Sequence, residues 1–151
     1  MPYADFDFYR ETYYGEILTE ENAGRWLSRA SDEVDALTFG RLISAFPIVE
    51  NHVEKVRKAV CAVADALFLT DAQRLAVSAQ KAEDGQYRGA VKSVTSGKES
   101  VSYFTDAAAA TMYAAAAVSP ETLSVLVRET AAKYLANVPD ANGINLLYAG
   151  V

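Results

Sequence analysis

Apolar positions recur along much of the chain at the three-and-four spacing of a helix that faces a core. After Thr19, the residues Ala23, Trp26, Leu27, Ala30, Val34 and Leu37 share one face. Thr19 is placed to cap that helix, and Glu20 and Glu21 put negative charge in its first turn, where the helix dipole favours it. Gly40 supplies a C′ stop, and Arg29 and Glu33 have the i,i+4 spacing of an exposed ion pair. A second stripe, Val49, Val53, Val56, Val60, Val63 and Leu67, advances by four and three behind Pro47, which suits a first helical turn. Full burial of those six side chains is worth about 9–18 kcal/mol as an upper estimate, which makes this helix the spine of the fold.

Thr70-Asp71-Ala72-Gln73 reads as a capping box that either starts a third helix or marks a kink in one longer helix, with Leu75, Ala76 and Ala79 as a thin apolar face. Glu83–Gly89 has the glycines and charges of a loop. Two short β-prone runs, Val91–Thr95 and Ser100–Phe104, flank the turn Ser96-Gly97-Lys98-Glu99 and predict a hairpin. An isolated hairpin is marginal in water, so this one needs a partner surface. Ala107–Val118 predicts a helix, and Ser119-Pro120 restarts the chain as N-cap and first helical residue. The helix that follows carries Leu123, Leu126, Val127, Thr130, Ala131, Tyr134 and Leu135 on its apolar face.

The two ends differ from this middle. Residues 3–14 hold Tyr3, Phe6, Phe8, Tyr9, Tyr13 and Tyr14, and Asp5 and Asp7 alternate with Phe6 and Phe8. That period of two fits an extended arm better than a helix. Its rings must lie on something, either the chain's own bundle or a neighbouring subunit. The breaker cluster Asn137–Gly143 leads into Ile144-Asn145-Leu146-Leu147-Tyr148, an apolar tail whose composition says that it docks. The expected fold is therefore mainly α. It is a small bundle of four to five helices with one short β-hairpin and extended N- and C-terminal arms, in a single domain over 1–151. Its parts are an aromatic arm (1–18), helices (19–90), the hairpin (91–104), helices (105–136) and a docking tail (137–151).

Composition narrows the function classes. The 151 residues contain one Cys, one His and a formal net charge of −6. One Cys excludes a disulfide framework and a Cys-based zinc site. The acidic balance argues against an electrostatic grip on nucleic acid or an anionic membrane. The most apolar stretch, Ala107–Val118, covers 12 positions, against the roughly 20 that span a bilayer. The first residues lack the basic and apolar regions of a secretory signal. A soluble protein is the expectation.

Catalytic chemistry is poorly supplied. His52 and Cys61 fall nine residues apart on the second stripe's helix, on opposite faces and about 13 Å apart along its axis, so they form no nucleophile–base pair within one chain. His52 reads as a half-buried, satisfied histidine and Cys61 as a small core or interface residue. Glu50 and Glu54 share a face, but Lys58 at i,i+4 makes a solvated salt-bridge row. Gly97-Lys98 is followed by Glu99 where a phosphate loop needs Ser or Thr, and Gly85 and Gly89 form no dinucleotide fingerprint. The short Lys55-Arg57-Lys58 cluster alternates with Glu54 and reads as an exposed helix surface. No catalytic residue, metal ligand or cofactor is expected, and the chain is not expected to be an enzyme.

Several segments occur in one telling order: the aromatic-acidic start, Ala59-Val60-Cys61-Ala62-Val63-Ala64, Ser100-Val101-Ser102-Tyr103, and the closing Leu146-Leu147-Tyr148-Ala149-Gly150-Val151. That order resembles the head–tail connector proteins (adaptor or head-completion proteins) of long-tailed double-stranded DNA bacteriophages, from Tyr3 to Val151. The chain departs from the family where Gly97-Lys98-Glu99 stands in place of a Gly-Asp-Tyr lead, and where Ala149 stands in place of a basic residue. The resemblance implies a helical bundle that forms a ring with neighbouring copies of itself, commonly twelve, beneath the portal protein. Such a ring extends the channel for double-stranded DNA, which passes without specific binding, and it docks the next neck or stopper protein. The implied location is the virion neck between capsid and tail, after assembly in the host bacterial cytoplasm, with no membrane partner.

Under that reading the interface residues are Phe6, Phe8, Tyr9 and Tyr13 of the arm, Val94, Val101 and Tyr103 of the hairpin, and Ile144, Leu146, Leu147 and Tyr148 of the tail. The competing readings are another neck or tail-completion protein, and a small helical regulator that binds a host protein.

Overall fold

The computed structural model describes residues 2–84 and 107–148. The protein is mainly α: α1 Phe6–Glu11, α2 Glu20–Leu37, α3 Arg41–Ser44, α4 Glu50–Asp84, α5 Ala107–Val118 and α6 Pro120–Leu135. Among the described residues the only β pairing is a single antiparallel bridge between Pro139 and Asn145. The hairpin expected over 91–104, with Val94, Val101 and Tyr103, lies outside the described residues. The chain divides into two compact units, Met1–Leu67 with Val127–Val151, and Phe68–Leu126.

In the first unit, α2 forms as its stripe requires. Ala23, Trp26, Leu27, Ala30 and Val34 are buried, and Leu37 is half-buried at the helix end. Thr19 and Asn22 close a reciprocal capping box at its start. The exposed pair expected between Arg29 and Glu33 is absent among the described ion pairs. The Arg29 guanidinium instead stands 4.8 Å from the centroid of the Trp26 ring, with Arg25 at 5.1 Å, because a guanidinium gains more over an indole face than against an exposed carboxylate.

The stop of α2 falls one residue earlier than Gly40 predicts. The Phe39 amide donates to the Ala36 carbonyl and the Gly40 amide to the Asp35 carbonyl, the two bonds of a Schellman motif. The C′ residue is therefore Phe39, which adopts φ 56°, and Gly40 follows at φ 74°.

The N-terminal segment is not extended. Asp5 caps α1 by accepting from the Phe8 amide at 2.9 Å, and Asp7 lies in the first turn. The Asp/Phe alternation is capping chemistry rather than strand patterning. Phe8 and Tyr9, two turn-adjacent residues, enter the core together.

The spine helix α4 runs without a break for 35 residues. The Thr70 capping box neither starts a helix nor ends one, since no Gly or Pro lies between Glu50 and Asp84 to release the backbone from helix. The stripe is shorter than expected at its N-terminal end. Val49 precedes the helix and is exposed, and Val53 is half-buried. The chain is still irregular at Pro47, so the helix starts at Glu50, with the Val49 carbonyl accepting from the His52 and Val53 amides. Val56, Val60, Val63 and Leu67 remain buried, worth about 6–12 kcal/mol as an upper estimate. Lys58 pairs with Glu54 along the wet side.

In the same unit, Val127, Ala131 and Leu135 of α6 are buried and Tyr134 is half-buried. The chain then folds back on itself. The Asp140 carboxylate accepts from the Asn142 and Ile144 amides at 2.8 and 3.0 Å, Gly143 turns at φ 83°, and the Leu146 amide donates to the Val138 carbonyl at 2.9 Å. Leu146 and Val138 are fully buried.

In the second unit, Ser119 caps α6 by accepting from the Thr122 amide at 3.2 Å. Arg74 pairs with Asp71 and donates to the Ala117 carbonyl near the end of α5, where a cation complements the helix dipole. Leu69, Ala116 and Leu126 are buried, whereas Leu75, expected on an apolar face, is exposed. Among the described residues, no helix is long and apolar enough to cross a membrane.

Candidate protein-interaction site

The N-terminal segment is fastened to the helices by polar bonds as well as by rings. The Tyr3 amide donates to Ser31 Oγ at 3.0 Å, and its hydroxyl donates to Asp35 at 2.6 Å. Arg57 on α4 donates to the Tyr3 carbonyl at 3.0 Å and lies 4.0 Å from the centroid of the Phe8 ring. The Tyr3 and Phe46 rings stack with centroids 5.4 Å apart. Burial, then the Asp35 carboxylate, pushes the Tyr3 phenol well above its ordinary value, so it stays a donor.

Asp65 is the centre of this fastening. It is the one charged residue in the run Ala59–Leu69, and that interruption of an apolar stretch is the sequence signal that marks it. Tyr9 Oη donates to Asp65 Oδ1 at 2.6 Å and accepts from the Ile17 and Leu18 amides, both at 3.0 Å. Tyr13 Oη donates to Asp65 Oδ2 at 3.2 Å. Burial pushes the Asp65 carboxyl up to about 6, against the pull of the two phenol donors. Desolvation foremost raises both phenols well above their ordinary range, so they hold their protons.

Gly15 completes the packing. A Cβ there would lie 2.1 Å from Tyr9 Cζ, closer than any non-bonded contact tolerates. Burial likewise pushes the Cys61 thiol up to about 12, which keeps it protonated and a poor nucleophile.

These placements divide the residues expected at an interface. Phe8, Tyr9 and Leu146 are buried inside their own chain, and Phe6, Tyr13 and Leu147 are half-buried. The physical reason is local. Capping by Asp5 turns the arm into a helix, and the Val138–Leu146 pairing turns the tail inward. Ile144 and Tyr148 remain exposed.

Phe39, Ile43 and Ile48, which the sequence does not single out, and Val49, expected in the second stripe, all lie between α2 and α4 and are more than half exposed. The two stretches are tied together. The Ala141 amide donates to the Ala45 carbonyl at 2.9 Å. Arg41 Nη1 donates to the Tyr148 carbonyl and, at 3.3 Å, to the Leu146 carbonyl. The same guanidinium lies 5.6 Å from the Phe39 ring centroid and 5.8 Å from that of Tyr148.

An exposed apolar rim held by a buried tail and one arginine is a surface that can dock a protein. Phe39 strengthens that reading. A bulky residue at positive φ is strained, and such strain clusters at functional positions. No family model, curated protein or solved structure matches the chain.

Proposed function

We propose that this chain is a structural virion protein, a head–tail connector that docks beneath the portal as one subunit of a ring, extends the DNA channel and receives the next neck component. The observation that carries the reading is a set of exposed apolar residues, with Phe39 and Tyr148 flanking Arg41 and with Ile43, Ile48, Val49 and Ile144 exposed in the same two stretches of chain. The order of sequence segments from Tyr3 to Val151 supports it, as does the net charge of −6, which lets phosphates pass a lumen without being held.

In this reading the rim faces the portal or a neighbouring copy. The test is co-purification with the cognate portal. Ile43→Glu and Ile48→Glu place charge on the rim without touching the core and are expected to weaken binding at least about tenfold, the range of an interface hot spot. Leu75→Glu, exposed in the other unit, serves as the control. Wild-type binding by both rim variants would remove the rim from the portal interface.

A further inference from the structure

Beside the Asp65 network lies a cleft of about 430 Å³, open to solvent and lined by Tyr13, Tyr14, Gly15, Glu16, Ile17, Asp65 and Tyr134. Its volume falls in the range of small-ligand sites. Three phenol rings and two carboxylates line it, and no lysine or arginine does. Asp65 forms no ion pair among the described residues, whose pairs are Arg57–Asp5, Lys58–Glu54 and Arg74–Asp71.

The hydrogen bonds leave one oxygen of Asp65 available. Tyr9 Oη is saturated, with its proton on Oδ1 and its lone pairs on two amides. Oδ2 receives only the longer bond from Tyr13 among the described contacts, so it retains acceptor capacity in a residue that lines the cleft. A partly buried carboxylate held by neutral donors alone is incompletely compensated. Aromatic faces beside it attract a cation.

We propose that this cleft binds a guanidinium group, as carried by the side chain of an arginine. The planar fork matches a carboxylate edge and stacks on phenol rings, which a compact ammonium does less well. The site is independent of the connector reading. It needs only the Met1–Leu67 and Val127–Val151 unit, which contains every lining residue.

Binding is tied to pH through the Asp65 carboxyl, which titrates at about 6 in the free protein. The groups facing it are Tyr9 and Tyr13 from the N-terminal segment and Cys61 on its own helix, all of which stay protonated at neutral pH. Glu16 and Tyr134 complete the cleft. A guanidinium favours the ionised carboxylate, so affinity falls as Asp65 is protonated, by about tenfold between pH 7.5 and pH 5.

The test is titration of the full chain, followed by amide NMR shifts at Gly15 and Leu18. Three probes are compared: ethylguanidinium, the blocked peptide acetyl-Gly-Arg-Gly-amide, and butylammonium. Saturable shifts with a Kd on the order of 1 mM for the two guanidinium probes, and weaker binding of butylammonium, are the expected result. Tighter binding of the peptide assigns the site to an arginine presented by a protein, and tighter binding of ethylguanidinium assigns it to a free small molecule.

Asp65→Asn should abolish saturable binding and its pH dependence. Two further variants leave the buried network intact. Tyr14→Asn removes a ring at a position whose φ of 60° suits asparagine, and it should weaken binding about two- to fivefold. Glu16→Gln should weaken it by a similar factor. The proposal is overturned by non-saturable shifts in the wild type, or by wild-type affinity in both Tyr14→Asn and Glu16→Gln.

Discussion

Replacing Tyr9 by Phe removes one oxygen atom and keeps the ring, so it isolates the hydrogen bonds that fasten the N-terminal segment to α4. The Tyr9 ring is fully buried, and a phenyl ring fits the same space. What is lost is a 2.6 Å bond to a carboxylate and two 3.0 Å bonds from the Ile17 and Leu18 amides. A hydrogen bond to a charged group contributes about 1.5–3 kcal/mol. Leu18 is buried, so its amide loses an acceptor where water does not readily replace it, at a cost of about 1–3 kcal/mol. Ile17 is half-exposed, and water can take over its bond at little cost.

The expected loss is therefore about 2.5–6 kcal/mol. Tyr13→Phe removes a single 3.2 Å bond at a half-buried residue and should cost only about 0.5–1.5 kcal/mol. Urea unfolding of the full chain, followed by far-UV circular dichroism, measures both as midpoint shifts at constant slope. A Tyr9→Phe loss below about 1 kcal/mol, or one no larger than that of Tyr13→Phe, would refute the assignment of Tyr9 as the anchor.

Three other perturbations follow from the same geometry. Asp65 has a folded pKa of about 6 against an ordinary value of 3.8. Its ionisation therefore costs stability, fully above about pH 6 and not at all below about pH 4. Relative to the wild type, Asp65→Asn should gain up to about 3 kcal/mol as pH rises across that window, as read from urea midpoints of both proteins at each pH; a flat difference would count against it. Gly15→Ala drives a methyl group into the Tyr9 ring and should destabilise by about 1–3 kcal/mol or more, seen as a lower Tm. Phe39→Gly relieves a left-handed backbone at an exposed helix end and should raise stability by up to about 1 kcal/mol while weakening portal binding, a trade-off measurable by thermal unfolding alongside co-purification.

Long stripes with intact caps were legible in the sequence. The faces of α2 and α6 agree with their buried residues almost position by position, because six or more apolar side chains at helical spacing leave no second arrangement that buries them. Short patterns were not. Asp5-Phe6-Asp7-Phe8 spans too few residues to distinguish a period of two from one of 3.6, and the capping bond from the Phe8 amide to Asp5 decides in favour of helix. Thr70-Asp71-Ala72-Gln73 has the residues of a helix start but sits where the preceding turns already supply the backbone bonds.

The candidate site was legible only in part, for a related reason. Apolar residues at both ends were expected to seek a partner, and Tyr9 and Leu146 find theirs within the chain. Phe39, Ile43 and Ile48 gave no periodic signal because they occupy a turn, one four-residue helix and an irregular stretch, and Val49 was counted in a stripe whose helix starts one residue later. The bonds that tie this stretch to the tail, from Arg41 to the Leu146 and Tyr148 carbonyls, join positions more than 100 apart in sequence. Asp65 was passed over in the sequence although it is the one charge in an apolar run, because its role depends on phenols 56 and 52 positions away.

The connector assignment is tested most directly by electron microscopy of the full chain mixed with its cognate portal. The account predicts a ring of this protein stacked coaxially beneath the portal, with the Phe39–Ile43 rim at a subunit or portal contact. Bare portals, with the chain remaining monomeric in the same mixture, would contradict it.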